Sequence, residues 1–200
     1  LGVWGESGTR VVASEEMWGQ PLKWNKAAEQ SGERRRVFCA SLADVFEDWA
    51  GPLTNANGHV LFPGNCLTNP WRDSGNPETE KPLTLNDVRR RLFALIDQTP
   101  WLDWLLLTKR PENVRNFWWQ RSDVTYVPEA GRLNDYPQNR RENVWIGTSV
   151  SDQETADKYV PELLKLRDLT PCLFLSMEPL LGPVSFRWAS WKPLSQTEQT

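Results

Sequence analysis

Four short apolar runs, each ending on a knot of polar residues, constrain this chain more than any other feature. They are RVFCAS (Arg36–Ser41), DWLLLT (Asp103–Thr108), NVWIGTS (Asn143–Ser149) and CLFLSM (Cys172–Met177). Near-continuous apolar runs with helix-like segments after them read as parallel strands buried on both faces. Their C-terminal ends carry Ser41 and Asp44, then Thr108, Lys109 and Arg110, then Thr148, Ser149 and Ser151, then Ser176 and Glu178. In βα folds the strand C-termini line one mouth, and ligands bind there. The pattern predicts an α/β fold with its site at that mouth.

Between the runs, Thr84 to Gln98 has a helical apolar spacing at Leu85, Val88, Leu92, Leu95 and Ile96. Asp152 is placed to cap a helix reaching Arg167, Pro111 to open a shorter one, and Ser41 to cap a helix over Leu42–Trp49. Leu22–Ser31 reads as a helix closed by Gly32, while the Gly-rich stretch up to Pro21 reads as irregular. LLGPVSF is a candidate fifth strand. Two polar insertions, about 51–82 and 122–141, interrupt the pattern; unstructured stretches of that length in a compact domain are generally functional loops or mobile.

Two hundred residues suit a single domain with a substantial core. With 23 basic and 26 acidic residues, the net charge of −3 announces neither a nucleic-acid nor a membrane partner. No apolar stretch approaches the roughly 20 residues of a membrane helix. Cys39, Cys66 and Cys172 are odd in number and widely spaced, which points to reduced thiols in a cytoplasmic protein and to no metal site. With His59 as the one histidine, a His-based triad is ruled out in practice. Most of the twelve tryptophans are expected to be structural, Trp101, Trp104 and Trp145 among them as core, although an exposed indole offers a base a stacking face.

LLLTKRPENV is the strongest local signal. A strand delivering Lys109 and Arg110 to the mouth, followed by a helix N-terminus, suits an anion. Lys109 acts as a point charge, whereas Arg110 can clamp a substrate carboxylate or phosphate through two hydrogen bonds. WIGTSVSD adds the hydroxyls of Thr148 and Ser149, and SMEPLLGP adds the Glu178 carboxylate. In ASLADVFED, Asp44 lies nearer the mouth than Asp48 and is a second candidate for substrate contact. Each has a plainer reading: ion pairs for Lys109, Arg110 and Glu178, and capping for the hydroxyls.

The motifs PLKWNKAAE, RVFCASLADVFED, TPWLDWLLLTKRPENV, ENVWIGTSVSDQETAD and LFLSMEPLLGPV, in that order, resemble a phage- and mobile-element-associated family. That family in turn resembles radical S-adenosylmethionine enzymes of the spore-photoproduct-lyase kind. The resemblance implies an incomplete parallel (βα) barrel. It also implies S-adenosylmethionine contacts at Lys109 and Ser149, with Glu178, Thr148 and Ser41 lining the same cofactor site. A [4Fe–4S] cluster is implied for such proteins, held by an N-terminal cysteine triplet. This chain has no such triplet, nor the usual C-terminal Gly-Gly-Glu-Ser-Gly stretch. It therefore reads as a fragment or a degenerate member with no cluster of its own. The implied function is a radical S-adenosylmethionine-like protein acting on nucleic acid or a nucleotide. The rival readings are a non-catalytic nucleic-acid- or protein-binding module, and an iron-free phosphate-ester enzyme using Asp44 and Glu178 as a metal-binding pair.

Overall fold

The computed structural model describes residues 8–39, 43–62, 81–118 and 140–189. Its elements in chain order are β1 (Arg10–Val11), α1 (Glu15–Ser31), β2 (Arg35–Cys39), β3 (Leu53–Thr54), α2 (Leu85–Asp97), β4 (Leu102–Thr108), a 3-10 turn (Pro111–Asn113), α3 (Val114–Phe117), β5 (Val144–Ser149), α4 (Gln153–Leu164) and β6 (Cys172–Ser176). The main sheet has the order β2-β4-β5-β6 and is parallel throughout. All four apolar runs are thus parallel strands of one sheet. A sheet laid down in chain order through right-handed crossovers carries its helices on one face.

Alternation along the strands sorts the side chains. In β4, Leu102, Trp104, Leu106 and Thr108 are buried, while Asp103, Leu105 and Leu107 are half-exposed. The buried set meets Leu92, Phe93 and Ile96 of α2, Ala28 of α1 and Leu163 of α4 in one core, with Val144 and Ile146 beside it. The opposite, open face carries Arg36 and Phe38 of β2, Leu105 and Leu107, Trp145 and Gly147, and Phe174 of β6. There the rings of Phe38 and Phe174 lie 6.4 Å apart although β4 and β5 separate their strands. Three strand intervals on a flat sheet span about 14 Å, so the sheet is concave towards this face. Gly147 supplies the room, because a Cβ there would lie 2.4 Å from the Phe174 ring.

Local physics explains where the elements depart from expectation. The described part of the N-terminal stretch is regular: β1 pairs with β3, and α1 begins at Glu15 rather than at Leu22. Ser14 caps it by accepting from Met17 N–H, two glutamates occupy its positive end, and Pro21 is carried inside the helix. Leu42–Trp49 is not helical in its described part; Glu47 N–H closes a turn on the Asp44 carbonyl, and side chains satisfy Phe46 N–H and the carbonyls of Val45, Phe46 and Glu47. The insertion predicted at 51–82 opens on β3 and a tight turn at Asn55, with Gly58 at φ 81°. LLGPVSF forms no strand; Val184 and Phe186 pack instead on Val150, Ala156 and Val160. α4 begins at the predicted cap, Asp152, and α2 begins beside the predicted start of its span, capped by Thr84; each cap forms a reciprocal capping box.

At the N-terminal ends of the strands, Arg141 is 1% exposed, ion-paired to Asp97 at 2.9 Å and stacked near Phe93 and Trp118. Similar stacks join Arg10 to Trp49, Arg36 to Trp145, Arg89 to Phe117 and Arg91 to Trp18. Asn143 donates to the carbonyls of Ile96 and Thr99, tying the end of α2 to the start of β5.

Gly147→Ala should force the Phe174 ring off the sheet and destabilise the fold by about 1–3 kcal/mol. Adding Phe174→Ala should recover part of that loss in chemical denaturation, because the clash partner is then gone. Additive losses in the double variant would refute the contact.

Candidate functional site

The C-terminal edge of the sheet divides into a braced frame and an unengaged rim. The frame centres on Asp44. Its Oδ1 accepts from Phe46 N–H at 3.0 Å and from Thr108 Oγ1 at 2.8 Å. Its Oδ2 accepts from Lys109 N–H at 3.1 Å and from Arg110 Nη1 at 3.0 Å. A carboxylate offers about four acceptor positions, and here all are filled. Asp44 and Arg110, both expected to face a substrate, face each other, and Asp44 has no lone pair left for a metal shared with Glu178.

Arg110 also reaches Glu47 at 3.3 Å, and Glu47 takes a two-pronged pair from Arg10 at 2.7 and 2.8 Å. Arg89, only 3% exposed, donates to the carbonyl oxygens of Val45 and Glu47, and Asn113 donates to that of Phe46. Side chains from β1, α2 and the turn after β4 therefore hold residues 44–47 in place of helical hydrogen bonds. The Arg10 hydrogen bonds hold the Glu47 carboxyl below its usual range against the opposing effect of burial. Burial pushes the Arg89 pKa down, opposed by Asp48, Asp44 and Glu47.

Thr148 also belongs to the frame. It is 0% exposed, and its Oγ1 donates to the Thr108 carbonyl oxygen at 2.8 Å, clamping β5 to β4 at the mouth. Ser41 lies outside the described residues.

The rim consists of Lys109, Ser149, Ser176 and Glu178. Among the described residues, none of these four side chains makes a hydrogen bond or ion pair. Thr108 pairs in register with Thr148, and Ser149 with Ser176, so the rim follows three adjacent strand ends. At the spacing of neighbouring strands it is about 10 Å wide. One ammonium, two hydroxyls and one carboxylate thus stand at one edge without a protein partner among the described residues, a set suited to a small ligand carrying both charges. Ser176 joins Lys109, Ser149 and Glu178 only through the register.

Trp145, expected in the core, lies half-exposed on the open face, with the Arg36 guanidinium 4.8 Å from its ring. Arg34 pairs with Asp103 and donates to the Pro100 carbonyl at 2.6 Å. The structural network of Arg10, Glu47 and Arg89 had no sequence signal beyond scattered charge. Its members lie 37 to 79 residues apart.

The described cysteines do not fit an iron–sulfur cluster. Cys39 packs on the helix-covered side, where burial pushes its thiol up to about 11. Cys172 falls on the open face, with burial raising its pKa and Arg36 opposing. A thiol held protonated is a poor metal ligand. Among the described residues, no group of three or more His, Cys, Asp or Glu is arranged to hold a metal ion. Cys66 lies outside them. No helix among the described residues is long and apolar enough to cross a membrane.

The fold and its edge define a parallel α/β protein with a polar mouth at its strand C-termini. More narrowly, the chain belongs to DUF5131, a family of proteins of unknown function, whose profile matches residues 81–191, more than half of its length. That span begins just before α2 and runs past β6, so it takes in Lys109, Ser149, Ser176 and Glu178. No curated protein and no solved structure matches the chain.

Glu47 gives the frame a pH dependence. A carboxyl whose folded pKa is depressed stabilises the fold above its unfolded value, about 4.3, and loses that contribution as pH falls through the folded value. Stability should therefore drop below about pH 4, and Glu47→Gln should lower the neutral-pH plateau and flatten the acid limb. Parallel acid limbs in the two proteins would refute the assignment.

Proposed function

We propose that the rim binds a small zwitterion of the S-adenosylmethionine type. The observation that carries this reading is the set of Lys109, Ser149, Ser176 and Glu178, unengaged side by side at the C-terminal edge of a parallel sheet. Lys109 pairs with the ligand carboxylate, Glu178 accepts from its ammonium, and the two serines hydrogen-bond between them. A charge-assisted contact of this kind is stronger than a neutral one.

The finer architecture in this reading is an incomplete parallel (βα) barrel with the open face as its interior. Strand order equal to chain order and the approach of Phe38 to Phe174 support it. The biological role in this reading is that of a radical S-adenosylmethionine-like protein acting on nucleic acid or a nucleotide. No step through an iron–sulfur cluster is assigned to this chain, because its described cysteines do not fit one. The residues here bind and orient a ligand.

Calorimetry with S-adenosylhomocysteine tests the reading. A charge-assisted hydrogen bond contributes about 1.5–3 kcal/mol, so Lys109→Met should weaken binding roughly tenfold to a hundredfold with the fold intact. Arg110→Met should act mainly on stability, since Arg110 is engaged with Asp44 and Glu47. Unchanged affinity in Lys109→Met would overturn the assignment.

A further inference from the structure

The hairpin tip after β3 carries chemistry that the mouth of the sheet does not use. Asn57 is the one asparagine of the chain that a glycine follows. Gly58 has no Cβ to hinder its own amide nitrogen from approaching the carboxamide before it. Both residues are exposed, and among the described residues the Asn57 carboxamide makes no hydrogen bond. Its carbonyl carbon is therefore open to attack.

The turn itself sets the pace. Gly58 N–H donates to the Asn55 carbonyl at 2.9 Å, and Asn55 N–H donates to the His59 carbonyl at 2.9 Å. Asn55 Oδ1 accepts from Asn57 N–H at 2.9 Å and from His59 N–H at 3.0 Å. Gly58, at φ 81°, supplies the left-handed residue of a three-residue hairpin loop. The attacking nitrogen is thus held to a carbonyl, and it is released only when the tip opens. Exposed segments with few buried contacts open locally without unfolding the rest.

We propose that Asn57 is a site of hydrolytic modification, gated by the side chain of Asn55. In the open tip the Gly58 amide nitrogen gives up its proton and bonds to Asn57 Cγ. The carboxamide C–N bond breaks, and its nitrogen leaves with a proton as ammonia. One water then adds to either carbonyl of the resulting five-membered imide and breaks one ring C–N bond. The product is aspartate or isoaspartate, so water is consumed, ammonia is released and nothing is oxidised or reduced. Either product adds a negative charge to the tip. Isoaspartate also carries the backbone through its side chain, which lengthens the loop that joins Thr54 to Val60. The inference is independent of the rim, because none of its residues takes part.

The test ages the full chain in mildly alkaline buffer made with heavy-oxygen water, then maps its peptides by mass spectrometry that separates aspartate from isoaspartate. Asn57 should convert ahead of every other asparagine and give both products, each carrying one labelled oxygen. Asn57→Gln should abolish conversion in that peptide. Asn55→Ala leaves the Asn57–Gly58 pair intact but removes the acceptor of two tip N–H groups, and should speed conversion several-fold. Asn55→Asp, which keeps an acceptor there, should convert at the parent rate. In denaturant the parent and Asn55→Ala should converge, and circular dichroism checks that both are folded without it. Conversion at another asparagine ahead of Asn57, aspartate formed without isoaspartate, or an Asn55→Ala rate equal to the parent's in native buffer would each overturn the proposal.

Discussion

One carboxylate organises the mouth of this sheet. Asp44 accepts from two backbone N–H groups, a threonine hydroxyl and a guanidinium, drawn from its own loop and from the end of β4. Residues 44–47 have no helix or sheet to satisfy them, and an unpaired buried polar group costs about 1–3 kcal/mol. Arg89, Asn113 and Arg10 complete what Asp44 begins. The N–H of Lys109 is fixed by the same carboxylate, so the position of the one ammonium on the rim follows from a residue that never faces a ligand.

The strands and two of the helices were legible because their signals are local. Continuous apolar runs bounded by polar residues gave all four strands of the main sheet to within a residue or two, the cap Asp152 marked where α4 begins, and the apolar spacing of residues 84–98 marked α2. The failures had a physical cause. The Gly-rich stretch up to Pro21 reads as irregular, but tertiary packing outweighs the loss of one N–H, and Pro21 is buried within α1. Leu42–Trp49 has helical spacing, yet its described part is held by contacts from Arg10, Arg89 and Arg110, distant in sequence.

The site was legible in part for a related reason. Position at a strand end is readable in a sequence, and Lys109, Ser149 and Glu178 do lie at or just past the ends of β4, β5 and β6. Engagement is not readable. Asp44, Arg110 and Thr148 stand at strand ends too, but they are consumed by one another and by the Thr108 carbonyl. The open face was hidden because alternation in a parallel sheet is masked when both faces are apolar. Trp145 looked like core, and only the register showed that it shares a face with Phe38 and Phe174.

The arginine–aromatic stacks bear on how this protein would meet a polyanion. Arg10, Arg36, Arg89, Arg91 and Arg141 each lie against a ring, and four of them also hold a carboxylate or a carbonyl oxygen. Guanidinium groups so committed are not free to displace counterions from phosphates. Nucleic-acid affinity that rests on phosphate neutralisation falls steeply with salt, in proportion to the number of phosphates contacted. Among the described residues, these five arginines brace the fold, so their number is a poor guide to the field the protein projects.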